Sequence, residues 1–271
     1  MSEAPRNGYC SVGKGSLYFE AEGDGPPVVF IQGFGLNLRY WDTFLDHMPA
    51  GTRNIRYDRR GYGQSSEPRQ DIPYSDFGDL AALLDHLELN EVRIISECVG
   101  GQVALEMAVE HPDRVKSLVL SNPDAVPGLA GTNEAFFKLI NETRPHHASG
   151  DHQAALEVGF SNPIISSSLQ SDEIRFQLTR ALAGYHGWHF LHWYPRQGSD
   201  PALNQRLGAV DVPVLILSGG RDYVHFQRVA KALGNALPNA TTEVLPDAGH
   251  YACLGFPAEA ARLITDFHNR P

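Results

Sequence analysis

Three residues of this 271-residue chain combine the right types with the right surroundings to do covalent chemistry: Cys98, Asp222 and His250. Cys98 lies in Ile94-Ile95-Ser96-Glu97-Cys98-Val99-Gly100-Gly101, an apolar run that leads through one reactive residue into a helical pattern. A strand that turns straight into a helix strains the residue at the turn and lifts its side chain above the sheet. Small residues two before and two after are needed because neighbouring backbone passes close by; Ser96 and Gly100 supply them, and Cys98 occupies the place usual for serine. A lone cysteine is most often a buried structural residue, but the strand–turn–helix context gives this one a different reading. Asp222 ends Ser218-Gly219-Gly220-Arg221-Asp222 and His250 ends Pro246-Asp247-Ala248-Gly249-His250. A thiol, a carboxylate and an imidazole in that chain order form a nucleophile, an orienting acid and a general base for acyl transfer. The Val99 amide, at the helix start, is placed to meet a developing oxyanion.

Such residues must be held at the ends of strands. Val28–Ile31 is uniformly apolar, as a strand buried on both faces requires. Further strands are predicted at Leu17–Glu20, Arg53–Tyr57, Val92–Ile95, Lys116–Leu120, Val214–Leu217 and Thr242–Leu245. Between them the spacing predicts helices at 39–47, 76–87 with Ser75 as N-cap, the elbow helix up to Glu110, 226–237 and 258–268. This alternation predicts a mostly parallel sheet with helices on both faces. Asp222 and His250 then follow the C-terminal ends of parallel strands, where open α/β sheets place ligands. The rhythm breaks between Asp124 and Leu207, where only helical segments appear: 133–143, 152–160 and 172–194. The chain therefore reads as one α/β core, residues 1–123 and 208–271, carrying a helical insertion, 124–207.

The remaining numbers narrow the field. A hydrophobic share of 42% with 20% charged residues fits a globular chain. No apolar run approaches the ~18 residues of a membrane span, and the N-terminus has no secretory pattern. The net charge of −10, from 22 basic and 32 acidic residues, argues against nucleic-acid or anionic-membrane partners. Three cysteines, Cys10, Cys98 and Cys253, lack C-x-x-C spacing, so neither a disulfide framework nor a zinc site is expected and a cytoplasmic location fits. The oligomeric state is open.

Five landmarks in order, I-Q-G-F-G, D-R-R-G-Y-G-Q-S, S-E-C-V-G-G, S-G-G-R-D and D-A-G-H, resemble the α/β-hydrolase superfamily with a helical cap after the sixth strand. The resemblance covers nearly the whole chain outside the cap. It implies the α/β-hydrolase fold and the Cys98-His250-Asp222 roles above, and it adds the Phe34 amide as second oxyanion donor. Asp124 and Asp247 are rivals for the acid; Asn122 holds the slot that carries the acid in some relatives. Asp58 and Arg59 are expected to stabilise their own loop. The chain departs from the pattern twice, with Gln32 for the usual histidine and Cys98 for serine. The sequence is compatible with a native cysteine and with a replaced serine alike. A helix N-terminus and a nearby imidazole are expected to lower the Cys98 pKa, unless the Glu97 carboxylate opposes them.

Six of the 12 histidines fall in the insertion: His146, His147, His152, His186, His189 and His192. The run Tyr185–Tyr194 is densely aromatic and reads as packing of a cap helix that also roofs an apolar pocket. His189 and His192 lack a carboxylate or cysteine to complete a metal set, so no metal and no cofactor are expected. The leading function is a cofactor-independent hydrolase of a hydrophobic or aromatic ester or thioester, with a free or carrier-bound acyl substrate. An acyltransferase or cyclase would share the acyl-enzyme. A non-hydrolytic receptor or lyase-like protein on the same fold is the reading from another class.

Overall fold

A computed structural model describes residues 7–124, 129–192 and 202–270. Eight strands form one sheet: β1 Asn7–Val12, β2 Gly15–Glu22, β3 Pro27–Ile31, β4 Arg53–Tyr57, β5 Val92–Glu97, β6 Val115–Ser121, β7 Val214–Gly219 and β8 Ala240–Leu245. Their order is β1-β2-β4-β3-β5-β6-β7-β8, with β1 and β2 antiparallel to their neighbours and the other pairings parallel. This is the α/β-hydrolase fold expected from the landmarks.

The uniformly apolar strands are explained by burial on both faces. Val29, Ile31, Ile94, Leu118, Leu120 and Ile216 point to a core shared with the helices Asp76–His86, Gly100–Glu110 and Val224–Ala236. The alternating residues Val28, Phe30, Ile95, Val119, Leu215 and Leu217 pack against Trp41, Phe44 and Ile264 of the other layer. Ser75 caps the helix Asp76–His86 as expected, its Oγ accepting from the Gly78 amide at 3.2 Å.

Differences from the expected elements have local causes. The strand β1 was not expected; only Cys10 and Val12 of it are fully buried, too few to leave an apolar run. Residues 38–45 form a 3-10 turn, Leu38–Trp41, followed by the one-turn helix Asp42–Leu45 instead of one continuous helix. The helix predicted over 133–143 is capped by Asn133 and spans Glu134–Ala148, running past Pro145. The helix predicted over 172–194 ends at Leu182: Gly184 and Gly187 adopt φ of +80° and +75°, and a single turn, Trp188–Leu191, follows. Trp193 and Tyr194 lie outside the described residues.

Between β6 and β7 the described residues contain helices and no strand. These helices sit above the C-terminal ends of the strands. Asn37, in the loop after β3, ties them down: its amide donates to Ala181 O at 2.7 Å and its Nδ2 donates to Arg180 O and Ala183 O.

Candidate active site

β5 ends at Glu97, and Cys98 takes φ +52°, in the left-handed region that non-glycine residues seldom occupy. Backbone contacts enforce that strain. The Cys98 amide donates to Ser121 O on β6 at 2.9 Å, and its carbonyl accepts from the Gly101 and Asp124 amides at 3.0 and 3.2 Å. Ser96 is fully buried, its Oγ donating to Val119 O at 3.0 Å. A Cβ on Gly100 would stand 2.7 Å from Ile31 O, and one on Gly33 would stand 3.1 Å from the Cys98 Cβ. The small residues read from the motif are thus where strand, elbow helix and the loop after β3 meet most closely.

Asp222 and His250 converge on the elbow from the ends of β7 and β8. His250 Nδ1 lies 3.1 and 3.0 Å from Asp222 Oδ1 and Oδ2, which leaves Nε2 for the Cys98 thiol, on which the imidazole acts to lower the pKa. Neither rival acid is hydrogen-bonded to His250. Asp124 pairs with His225 Nε2 at 3.2 Å, and Asp247 forms a surface pair with Arg221. Asp222 is itself held: Oδ1 accepts from the Tyr223 amide at 2.6 Å, and Oδ2 accepts from Asn122 Nδ2 at 2.7 Å. The role of Asn122 was missed in the sequence. Its position at the alternative acid slot was the available signal, since a residue there reaches the same imidazole or its partner. The Phe226 ring lies 4.0 Å, centroid to centroid, from that of His250. Ser167 and Ser168, from the insertion, accept from the His250 and Tyr251 amides at 3.1 and 2.9 Å.

The electrostatics differ from expectation at Cys98. Burial pushes the Cys98 thiol above its ordinary 9.0; His250 pulls it down less, and Asp124 and Glu97 push it up further. The expected lowering is therefore overturned: the elbow is desolvated enough to outweigh the imidazole. Burial also disfavours the charged imidazole, but the Asp222 carboxylate opposes this and raises the His250 pKa; the further rise that a Cys98 thiolate would cause is absent while the thiol is protonated. Glu97 is driven to about 8 by burial, against the pull of His250 and the hydrogen bond from Tyr40 Oη to its Oε2 at 2.8 Å.

The loop after β3 carries Phe34. Neither the Phe34 nor the Val99 amide donates a hydrogen bond to another described residue. Arg59 Nη2 donates to Gly33 O at 3.0 Å, so the β4 loop braces this one. Asp58 accepts from the Leu38 and Gln64 amides at 2.7 and 2.8 Å. Gln32 is fully buried, and neither atom of its side-chain amide has a partner among the described residues.

A cavity of about 270 Å³ opens over Cys98 and His250. Phe34, Phe136, Leu139, Ile164 and Phe226 form apolar walls, and His147, His152 and His186 border it from the insertion. The aromatic run is mostly packing, as expected: Tyr185 and His189 stack on Tyr62 at 5.4 and 4.4 Å, and Phe190 stacks on Phe34 at 4.9 Å. His192 Nδ1 lies 3.0 Å from Trp188 O. Among the described residues no three His, Cys, Asp or Glu side chains are arranged to hold a metal ion, and no helix is long and apolar enough to cross a membrane.

Comparison with known proteins agrees with the fold. The sequence profile of the alpha/beta hydrolase fold matches residues 26–257. The chain is 28% identical over 248 residues to a putative 2-succinyl-6-hydroxy-2,4-cyclohexadiene-1-carboxylate synthase of Bacillus subtilis (strain 168), covering 89% of each. It is 26% identical over 237 residues to 3-oxoadipate enol-lactonase 2 of Acinetobacter baylyi, covering 87% of this chain and 86% of that one. In structure it resembles a thermophilic esterase from Thermogutta terrifontis, with TM-score 0.80, 22% identity and coverage of 97% and 98%.

Proposed function

The chain belongs to the alpha/beta hydrolase family, and from that premise we propose that it is a cofactor-independent hydrolase that cleaves a hydrophobic or aromatic ester or thioester through an acyl-enzyme on Cys98. The observation that carries this reading is the alignment of a strained elbow thiol with an imidazole that a buried carboxylate holds at 3.0 Å. Relatives named as a lactonase and as a putative carbamate hydrolase support hydrolysis of an acyl bond.

Each step follows from the positions of the groups. Cys98 Sγ attacks the carbonyl carbon while its proton passes to His250 Nε2, and the carbonyl electrons move onto oxygen. The Phe34 and Val99 amides are the donors for that oxyanion. As the tetrahedral intermediate collapses, the leaving group departs with the proton from His250, and a thioester remains. Water then attacks the thioester and gives a proton to His250; Cys98 Sγ departs and recovers it. Asp222 keeps the imidazole in orientation and stabilises its cationic form in both halves. With the resting thiol pushed up by burial, proton transfer accompanies attack, and the basicity that Asp222 lends His250 matters accordingly.

Steady-state hydrolysis of a panel of aryl esters and acyl thioesters tests the proposal. Cys98→Ala is expected to lose turnover by at least ~1000-fold, the order typical of losing a nucleophile. Turnover within a few-fold of the parent would remove Cys98 from the reaction.

A further inference from the structure

The wall of the cavity contributed by the insertion is built differently from the rest. His147 comes from the helix Glu134–Ala148, His152 opens the helix His152–Phe160, and His186 lies in the turn before Trp188. The three rings form one group. His147 Nδ1 faces His152 Nδ1 at 3.2 Å, and His152 stacks on His186 at 4.8 Å with 26° between planes. His147 is mostly buried and held in place: a Cβ on Gly187 would meet its ring at 2.4 Å, and Tyr185 and Phe190 flank it at 5.7 and 6.0 Å. Phe190 in turn stacks on Phe34, so the imidazoles stand one aromatic ring beyond the residue that carries the oxyanion amide.

A contact between two Nδ1 atoms fixes the proton count. One ring must donate through Nδ1–H and the other must accept. In the neutral pair, the Nε2 atoms therefore offer one acceptor and one donor. With one added proton, both Nε2 atoms become N–H donors while the Nδ1 contact survives. Two N–H donors bearing one positive charge complement a carboxylate. The groups whose charges reach His147 are His152, His146 and His186, all imidazoles, with no carboxylate among them. Burial and these neighbours hold His147 down at about 4, so without a ligand the ring is neutral. Thr143, Thr179 and Gln153, which also border the cavity, carry no charge, and the carboxylate in its lining, Asp124, is paired with His225 Nε2 at 3.2 Å. The charge that would complete the site is negative and must come from the ligand.

We propose that the imidazole group His147-His152-His186 is a subsite for a carboxylate at the far end of the acyl substrate, separated from the reacting carbonyl by an apolar, ring-sized segment. The inference rests on the acyl-hydrolase reading for what sits at Cys98, but the subsite is defined by its own residues. The substrate is then the monoester or monothioester of a dicarboxylic acid with an aromatic or similarly bulky apolar centre, its second carboxylate free. Binding it draws one proton from solvent into the imidazole pair.

Two measurements separate the subsite from the chemistry. In the first, the para-carboxylate and para-methyl forms of one phenylalkyl methyl ketone, unreactive mimics of the ester carbonyl, are titrated calorimetrically into the full chain. The titrations are run at neutral pH in buffers of different ionisation enthalpy. The carboxylate form is expected to bind about tenfold or more tightly than the methyl form, the order of one charge-assisted hydrogen bond. It is also expected to take up close to one proton, and the methyl form none. His147→Gln and His152→Gln should each abolish the preference and the proton uptake while leaving the affinity for the methyl form within about twofold, which also shows that the variants are folded. Equal affinity for both ketones, or a preference that survives both substitutions, overturns the subsite. In the second, the matching aryl esters are assayed: a kcat/KM advantage of the carboxylate ester that disappears in His147→Gln supports the assignment. Failure of both esters to turn over while the calorimetric preference stands would reject the hydrolase reading and leave the subsite intact.

Discussion

Cys98 is a thiol kept protonated by its surroundings. Its ordinary value is 9.0, and burial moves it higher despite the neighbouring imidazole. A preformed thiolate–imidazolium pair would react with an alkylating reagent fully at neutral pH; a buried thiol would not. Iodoacetamide labelling of Cys98, followed by peptide mass spectrometry, is therefore expected to keep rising as the pH passes 9.0. A profile already flat from neutrality upward would show the pair to be ionised at rest. The same environment would let a cysteine serve as the proposed nucleophile without being indiscriminately reactive. Cys10 and Cys253 are also buried with raised pKa values; Cys98 differs from them in lining the cavity beside the His250 imidazole.

At the scale of elements, the site is a product of close approaches between β3, β5 and the elbow helix. A methyl group on Gly100 would press on backbone carbonyls, Ile31 O at 2.7 Å and Gln32 O at 3.0 Å, which cannot swing aside. Gly100→Ala is expected to cost about 1–3 kcal/mol in urea unfolding and to lower turnover, because the Phe34 loop moves with Gln32. Gly208→Ala, where nothing lies within 4 Å of the added Cβ, is the control and should leave both unchanged. Much of this arrangement was legible in the sequence because burial on both faces leaves a strong mark. Strands such as Val28–Ile31 are apolar without interruption, and their ends carry the small and polar residues of the landmarks. What was not legible depends on contacts between distant segments. β1 buries too few side chains to show a pattern. The break after Leu182 rests on the positive φ of Gly184 and Gly187, and Gly187 lies directly against the His147 ring. The hold of Asn122 on Asp222 joins residues 100 positions apart. The pairing of His147 with His152 depends on the angle between two helices and not on their individual patterns.

The molecule as a whole buries an acid next to Cys98. Glu97 moves from 4.5 to about 8 in the folded protein because burial disfavours its charged form. The folded state therefore binds more protons than the unfolded state between those values, and the stability associated with the neutral acid is lost as the pH rises through them. The slope from this one group is up to roughly 1.4 kcal/mol per pH unit. Glu97→Gln, which keeps the shape without the ionisation, should be increasingly more stable than the parent as the pH rises from 4.5 to about 8. Thermal unfolding of both proteins across that range reads this directly, and a constant difference would place the charged form of Glu97 in a better-solvated setting. The sheet, the elbow, the imidazole and the cavity all contribute to the covalent intermediate proposed on Cys98. The most direct test is intact-protein mass spectrometry of the enzyme quenched in acid during turnover of aryl esters and acyl thioesters, followed by peptide mapping. The expected result is a mass increase equal to the acyl group, located on the peptide containing Cys98 and absent from Cys98→Ala. Continued turnover by Cys98→Ala, or an adduct on any other residue, would contradict it.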